Sequence, residues 1–371
     1  NQLPPLDELG AGKFMGFTGG LYPDGRNIMP ASFMADAIKA AEKIQPLNTQ
    51  GVPDINGKIG VVTIGASTVA MFSSAINELI YDRPGIQKSI VFVNGGVGGQ
   101  DLNKIYDQQG KYWQTVESRV SQAGLTNAQV QVAWLQEDDL RNTVATFPQR
   151  ANMLVEAFIY TIQKLKVRYP NLQIIYLTAR HTTDYMPATS KDKHREPRAY
   201  LNGWAMKFLI EEQINGNKAL AYTGDNAKAP LLMWGPYFWT QGDKPRQDGY
   251  TFTPDMTVED GVHPNELGKI KVANDIIQFW ESDPVSQLWY YGAATPAVAG
   301  NSVTLYFAGR AAESVERNRV QSSMQVILTK DAAVVFKESY KIENTEKIEI
   351  NNLPQGQSKY LWTDGGSFNR A

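Results

Sequence analysis

Lys58–Leu79 reads KIGVVTIGASTVAMFSSAINEL, and its two halves follow different periods. Lys58–Ile64 is a short apolar run rich in β-branched residues, the pattern of a strand buried on both faces. Val69, Phe72, Ile76, Leu79 and Ile80 then recur at helical spacing. A buried strand running straight into a helix is the opening half of a parallel crossover unit.

The same alternation continues on both sides. Ser89–Val93, Val130–Leu135, Leu172–Thr178 and Pro230–Trp234 read as further strands. Ala151–Tyr169, ended by Pro170, together with Tyr200–Ile214 and Glu266–Trp280, read as helices between or after them. Short apolar strands separated by helices imply parallel strands in a three-layer α/β sandwich. Upstream, residues 1–57 form a loop-rich extension expected to pack on the core, interrupted by a helical pattern over Ser32–Ile44. The α/β domain is assigned to 58–295. From 296 to 371 the helical period disappears, and Ser302–Phe307, Met324–Thr329, Ala332–Phe336, Lys347–Ile350 and Lys359–Trp362 predict a small β-rich, sandwich-like domain.

Composition narrows the function. A 371-residue chain with 42% hydrophobic residues has material for a sizeable core and more than one small domain. Its net charge of -2 provides no field for nucleic acid, and no apolar run suits membrane insertion. The absence of cysteine excludes disulfides, thiolate nucleophiles and cysteine-ligated zinc.

Ligands of such open sheets bind at the carboxyl ends of the strands, and polar residues collect there in this chain. Ser67 follows the first strand in Ile64-Gly65-Ala66-Ser67-Thr68, beside a helix start whose free N–H groups can stabilise an oxyanion. A serine at that junction is also an ordinary N-cap, so its position leaves both readings open. Asn94-Gly95-Gly96-Val97-Gly98-Gly99-Gln100-Asp101 follows the second strand. It lacks the Lys-Ser/Thr end of a phosphate loop and reads as a tight turn or an oxyanion loop. Asp260-Gly261-Val262-His263 precedes the last helix. A serine hydroxyl needs a base, and that base needs a carboxylate to set its tautomer; Asp260, three residues before His263, supplies one locally. His194 lies in a charged loop, KDKHREPR. His181 follows the fourth strand and competes as base, but its nearest carboxylate, Asp184, is less well placed; the orienting group favours His263. A metal site from Glu137, Asp138 and Asp139 is disfavoured, because adjacent side chains diverge and no histidine cluster joins them.

Together Gly65-Ala66-Ser67-Thr68, Asn94–Gly99 and Asp260–His263 resemble the serine, glycine and Asp-x-x-His blocks of the SGNH (GDSL-type) hydrolases, over roughly 58–280. The resemblance implies a flavodoxin-like sandwich of about five parallel strands, with Ser67 as nucleophile and His263 and Asp260 completing a triad. It also implies an oxyanion hole made by the Ser67 and Gly99 N–H groups and a side-chain amide from the third block. That block departs from the family's Gly-x-Asn-Asp: Trp134-Leu135-Gln136-Glu137 stands there, similar to the Trp-x-Gln-Gly-Glu run of carbohydrate acetylesterases, and Gln136 offers the amide. Gln100 and Arg180 are candidate substrate contacts. Gly19-Gly20-Leu21-Tyr22-Pro23, Tyr176-Leu177-Thr178-Ala179-Arg180 and Trp234-Gly235-Pro236-Tyr237 further resemble a bacterial, often exported, subgroup of the family, and with a chain that begins at Asn1 this sets the expectation of an exported protein.

The expected activity is hydrolysis of small acyl esters, acetyl groups on carbohydrate foremost, with no metal or organic cofactor. The alternative is a non-catalytic glycan-binding protein on a degenerate scaffold of the same kind.

Overall fold

The computed structural model describes residues 3–140, 144–190 and 195–292, together with the backbone of six strands between 303 and 370. In chain order the elements begin with α1 (Leu6–Leu9), a short hairpin of β1 (Lys13–Phe14) and β2 (Phe17–Thr18), and α2 (Ala31–Glu42). There follow β3 (Ile59–Ile64), α3 (Ser67–Leu79), β4 (Ile90–Val93), α4 (Leu102–Tyr106), α5 (Lys111–Gln122), β5 (Val130–Leu135) and α6 (Gln149–Arg168). They continue with β6 (Ile174–Leu177), α7 (Arg198–Ile214), β7 (Leu231–Trp234), α8 (Glu266–Ser282) and α9 (Pro284–Tyr290).

Five strands form one sheet in the order β4-β3-β5-β6-β7, and every neighbouring pair is parallel. Counted along the chain this is 2-1-3-4-5, the flavodoxin-like order expected from the sequence. All residues of β3, β5, β6 and β7 are buried. Helices cover both faces, so the strands read as continuous apolar runs rather than alternating ones. The strand order reverses between β3 and β5, which opens a crevice at their carboxyl ends. Ser67 follows one of these strands and Gln136 the other.

The helices differ in how they bury. α3 buries Val69, Phe72, Ala75 and Ile76 along one stripe. α7 is buried nearly all round, as a helix between layers must be; one side receives Phe14, whose ring stacks on Trp204. The segment before β3 closes over β7: Trp234 donates from its ring to the Leu21 carbonyl and from its backbone to the Tyr22 hydroxyl. This covers a sheet edge that would otherwise be open. α5 was not anticipated from the sequence. Only Tyr112, Trp113, Val116 and Val120 of its twelve residues are buried, a sparse stripe in a polar segment.

The chain divides into two compact units, one of residues 1–82 and 88–281, the other of residues 83–87 and 282–371. In the second unit, β8 (Val303–Tyr306) pairs with β11 (Lys347–Ile350). β9 (Met324–Lys330), β10 (Ala333–Tyr340), β12 (Lys359–Thr363) and β13 (Phe368–Arg370) form a four-stranded sheet ordered β10-β9-β12-β13. Both sheets are antiparallel. The boundary expected at 296 lies outside the described residues, as does His194. Among the described residues no helix is long and apolar enough to cross a membrane.

Candidate active site

Ser67 is the first residue of α3, and Ala66 takes the cap position without a side-chain capping bond. The serine hydroxyl is therefore not occupied in closing its own helix. It lies 2.7 Å from Nε2 of His263, although 196 residues separate the two in sequence. The other ring nitrogen, Nδ1, lies 2.5 Å from Oδ2 of Asp260. Oδ1 of Asp260 accepts the backbone N–H groups of Val262 and His263, each at 2.9 Å.

This arrangement sets the protons. Burial pushes the Asp260 carboxyl up, but hydrogen bonds from the His263 ring and from the two N–H groups outweigh it and hold the group below its ordinary 3.8. An ionised carboxylate only accepts, so Nδ1 of His263 carries the hydrogen and Nε2 is left to accept from the Ser67 hydroxyl. The side chains of His263 and Asp260 are 34% and 48% exposed, so solvent reaches the pair.

The glycine loop is locked to the serine loop. Gly96 pairs with Gly65 in a parallel bridge, and the Val97 N–H donates to the Gly65 carbonyl at 2.9 Å. A Cβ on Gly96 would sit 2.2 Å from the Ala70 nitrogen, so no other residue allows this approach. The Tyr112 hydroxyl joins the loops from below, accepting from the Gly65 N–H at 3.1 Å and donating to the Gly95 carbonyl at 2.9 Å. Sequence reasoning missed this tyrosine, because a buried aromatic on a helix looks like any core residue. Gly99 has φ +69° and open space where a Cβ would stand. It is exposed, and its position is set by backbone conformation rather than by crowding.

Gln136 stands at the end of β5, only 2% exposed. Its Nε2 donates to the Ala179 carbonyl at 2.9 Å, and among the described residues its Oε1 accepts no hydrogen bond. One amide hydrogen is thus taken, and no hydrogen bond joins Gln136 to Ser67 or His263. Beside it, burial pushes the Glu137 carboxyl up to about 8, against weaker opposing pulls from the Asp138 N–H and the Arg180 charge. Asp138 is paired with Arg150 inside the protein. Asn202 of α7 ties the two loops behind the site, donating to the Glu137 carbonyl and accepting from the Arg180 N–H. Gln100 is half-buried beside the glycine loop, whereas Arg180 is 6% exposed. Among the described residues no group of three or more His, Asp or Glu side chains could hold a metal ion.

No hydrogen bond joins His181, the rival base, to Ser67. It is fully buried, and its Nε2 donates to the Val262 carbonyl at 2.8 Å.

No protein-family model matches the chain, and no curated protein matches it. Among the solved structures similar to it at low levels are three. One is an α/β hydrolase enzyme from the metagenome of Lake Arreo, Spain, with TM-score 0.34 and 15% identity over 60% of this chain and 94% of that one. Another is a gut microbial diltiazem-metabolizing enzyme, with TM-score 0.34 and 13% identity over 64% of this chain and 48% of that one, so this chain spans about half its length. The third is an acetyl xylan esterase, with TM-score 0.35 and 14% identity over 59% of this chain and 98% of that one.

Proposed function

We propose that the chain is a serine ester hydrolase of the SGNH type, acting on small acyl esters and foremost on acetyl groups carried by carbohydrate. The observation that supports this reading is the unbroken relay from the Ser67 hydroxyl through both nitrogens of His263 to Asp260. In the first half-reaction Ser67 attacks the ester carbonyl while His263 Nε2 takes its proton. The carbonyl oxygen becomes an oxyanion at the start of α3, with the Ser67 and Gly99 N–H groups as its donors and the second Gln136 amide hydrogen as a third. His263 then returns the proton to the leaving alcohol, which departs and leaves an acyl-serine. Water, deprotonated by the same nitrogen, cleaves the acyl-serine, and the carboxylic acid leaves with Ser67 restored. Asp260 stays ionised throughout and stabilises the imidazolium.

A second reading, glycan binding without turnover, draws support from the Gln136 amide, which is buried and already bonded to Ala179. A panel of acetylated sugars and short p-nitrophenyl esters separates the two, with Ser67→Ala as control. The esterase reading expects turnover that the variant loses by at least ~10³-fold with its fold intact. Equal rates in both proteins would end it.

A further inference from the structure

His181 has no role in the relay, yet its chemistry is unusual for a core residue. It follows β6, is 1% exposed, and packs against the rings of Phe72, at 5.9 Å between centroids, and Phe252, at 4.5 Å. A carbonyl only accepts, so the 2.8 Å contact with Val262 puts the ring hydrogen on Nε2. Nδ1 is then a bare acceptor, buried without a partner among the described residues. An apolar ring would fill this slot without that penalty. What the histidine adds is one N–H aimed at Val262.

The Val262 carbonyl and the His263 N–H are the two polar ends of a single planar peptide unit. His181 holds the carbonyl end at 2.8 Å, and Asp260 Oδ1 holds the N–H end at 2.9 Å. On the far side, the His263 carbonyl accepts from the Val258 N–H at 2.9 Å. A plane pinned at both ends cannot rotate, so ψ of Val262 and φ of His263 are set, and with them the direction of the imidazole. We propose that His181 is a positioning residue, clamping the peptide plane that aims His263 at Ser67. Burial, with the Arg180 charge a second cause, pushes its pKa down to about 3, which keeps the ring neutral across the working range.

The catalytic consequence rests on the esterase reading, whereas the clamp itself can be observed without turnover. The test compares His181→Gln, which retains an Nε2–H donor, with His181→Phe, which fills the slot and has none. Two readouts are needed: kcat and KM on p-nitrophenyl acetate, and the low-field proton resonance of the His263 Nδ1–H bonded to Asp260. In the Phe variant kcat should fall ~30–100-fold with KM within ~3-fold, as expected when a reacting group is displaced by about 1 Å. Its low-field resonance should broaden or disappear. The Gln variant should stay within ~5-fold of wild type and keep the resonance. A folded Phe variant with wild-type kcat and an unchanged resonance overturns the proposal. If the Phe variant does not fold, His181→Asn replaces it: its shorter amide cannot reach Val262, so retained kcat and resonance there are equally fatal. Should the wild type turn over no ester, the functional reading fails alone, and the resonance still decides the role of His181.

Discussion

Asp260 is the residue at which a near-isosteric change should do more harm than truncation. Its two oxygens have separate duties, Oδ2 facing His263 Nδ1 and Oδ1 accepting two backbone N–H groups. In Asp260→Asn the remaining oxygen can keep the backbone bonds, which turns the new NH2 group towards Nδ1. Two donors cannot face each other, so the ring must carry its hydrogen on Nε2, against Ser67. The base then becomes a donor, and wrong-tautomer variants of such relays lose about 10⁴ in kcat. Asp260→Ala imposes no tautomer. Water can reach a ring that is 34% exposed, and the main loss is Coulombic stabilisation of the imidazolium. At this exposure the pair lies between the limits of about 1 kcal/mol in water and about 4 kcal/mol near a protein surface. A middle value of about 2 kcal/mol corresponds to roughly 30-fold in rate. Stability should run the opposite way, because Asn keeps the two backbone bonds and Ala loses them, at about 1 kcal/mol or a few degrees in Tm. The carboxyl titrates below its unfolded value of 3.8, so its stabilising bonds are fully present above that pH and fade as pH falls through the lowered value. The Tm gap between wild type and Asp260→Ala should therefore close in acid. Steady-state kinetics on p-nitrophenyl acetate and thermal melts from pH 3 to pH 8 read both effects. An Asn variant more active than the Ala variant would refute the tautomer argument.

Two neighbours at the end of β5 provide further checks. If the free amide hydrogen of Gln136 reaches the oxyanion, Gln136→Ala should lower kcat by ~10²–10³ with little change in KM; wild-type kcat would leave the Ser67 and Gly99 N–H groups as sufficient. Glu137 holds its proton in the folded state up to about pH 8 but releases it near 4.5 when unfolded. Its contribution is thus fully present below pH 4.5 and lost as pH rises through about 8, by several kcal/mol in order of magnitude. Urea denaturation at pH 5 and pH 9 should show a smaller stability loss in Glu137→Gln than in wild type, and equal losses would contradict the buried-acid assignment.

The sheet was legible because its strands are buried on both faces. Runs such as Lys58–Ile64 and Val130–Leu135 need no tertiary information to be recognised. The contact between Asp260 and His263 was legible for a related reason, since three residues on a turn keep both groups within reach. Other parts of the site depend on distant pairings that no local period encodes. Tyr112 bridges Gly65 and Gly95 from a helix whose apolar stripe is too sparse to announce itself. Asn202 ties the loops after β5 and β6 from near the start of α7. His181 looked like a rival base because it lies at the correct end of a strand, but its direction is set by Val262, 81 residues away.

The central claim is that Ser67 is activated by His263, and covalent labelling tests it without knowledge of the natural ester. A fluorophosphonate captures only a serine whose proton is being removed. Incubation of the folded protein with such a probe, followed by intact mass and peptide mapping, should show one adduct, on Ser67. The adduct should be absent in His263→Ala. A folded wild-type protein that takes up no probe, or takes it up at another residue with Ser67 unmodified, would contradict the account.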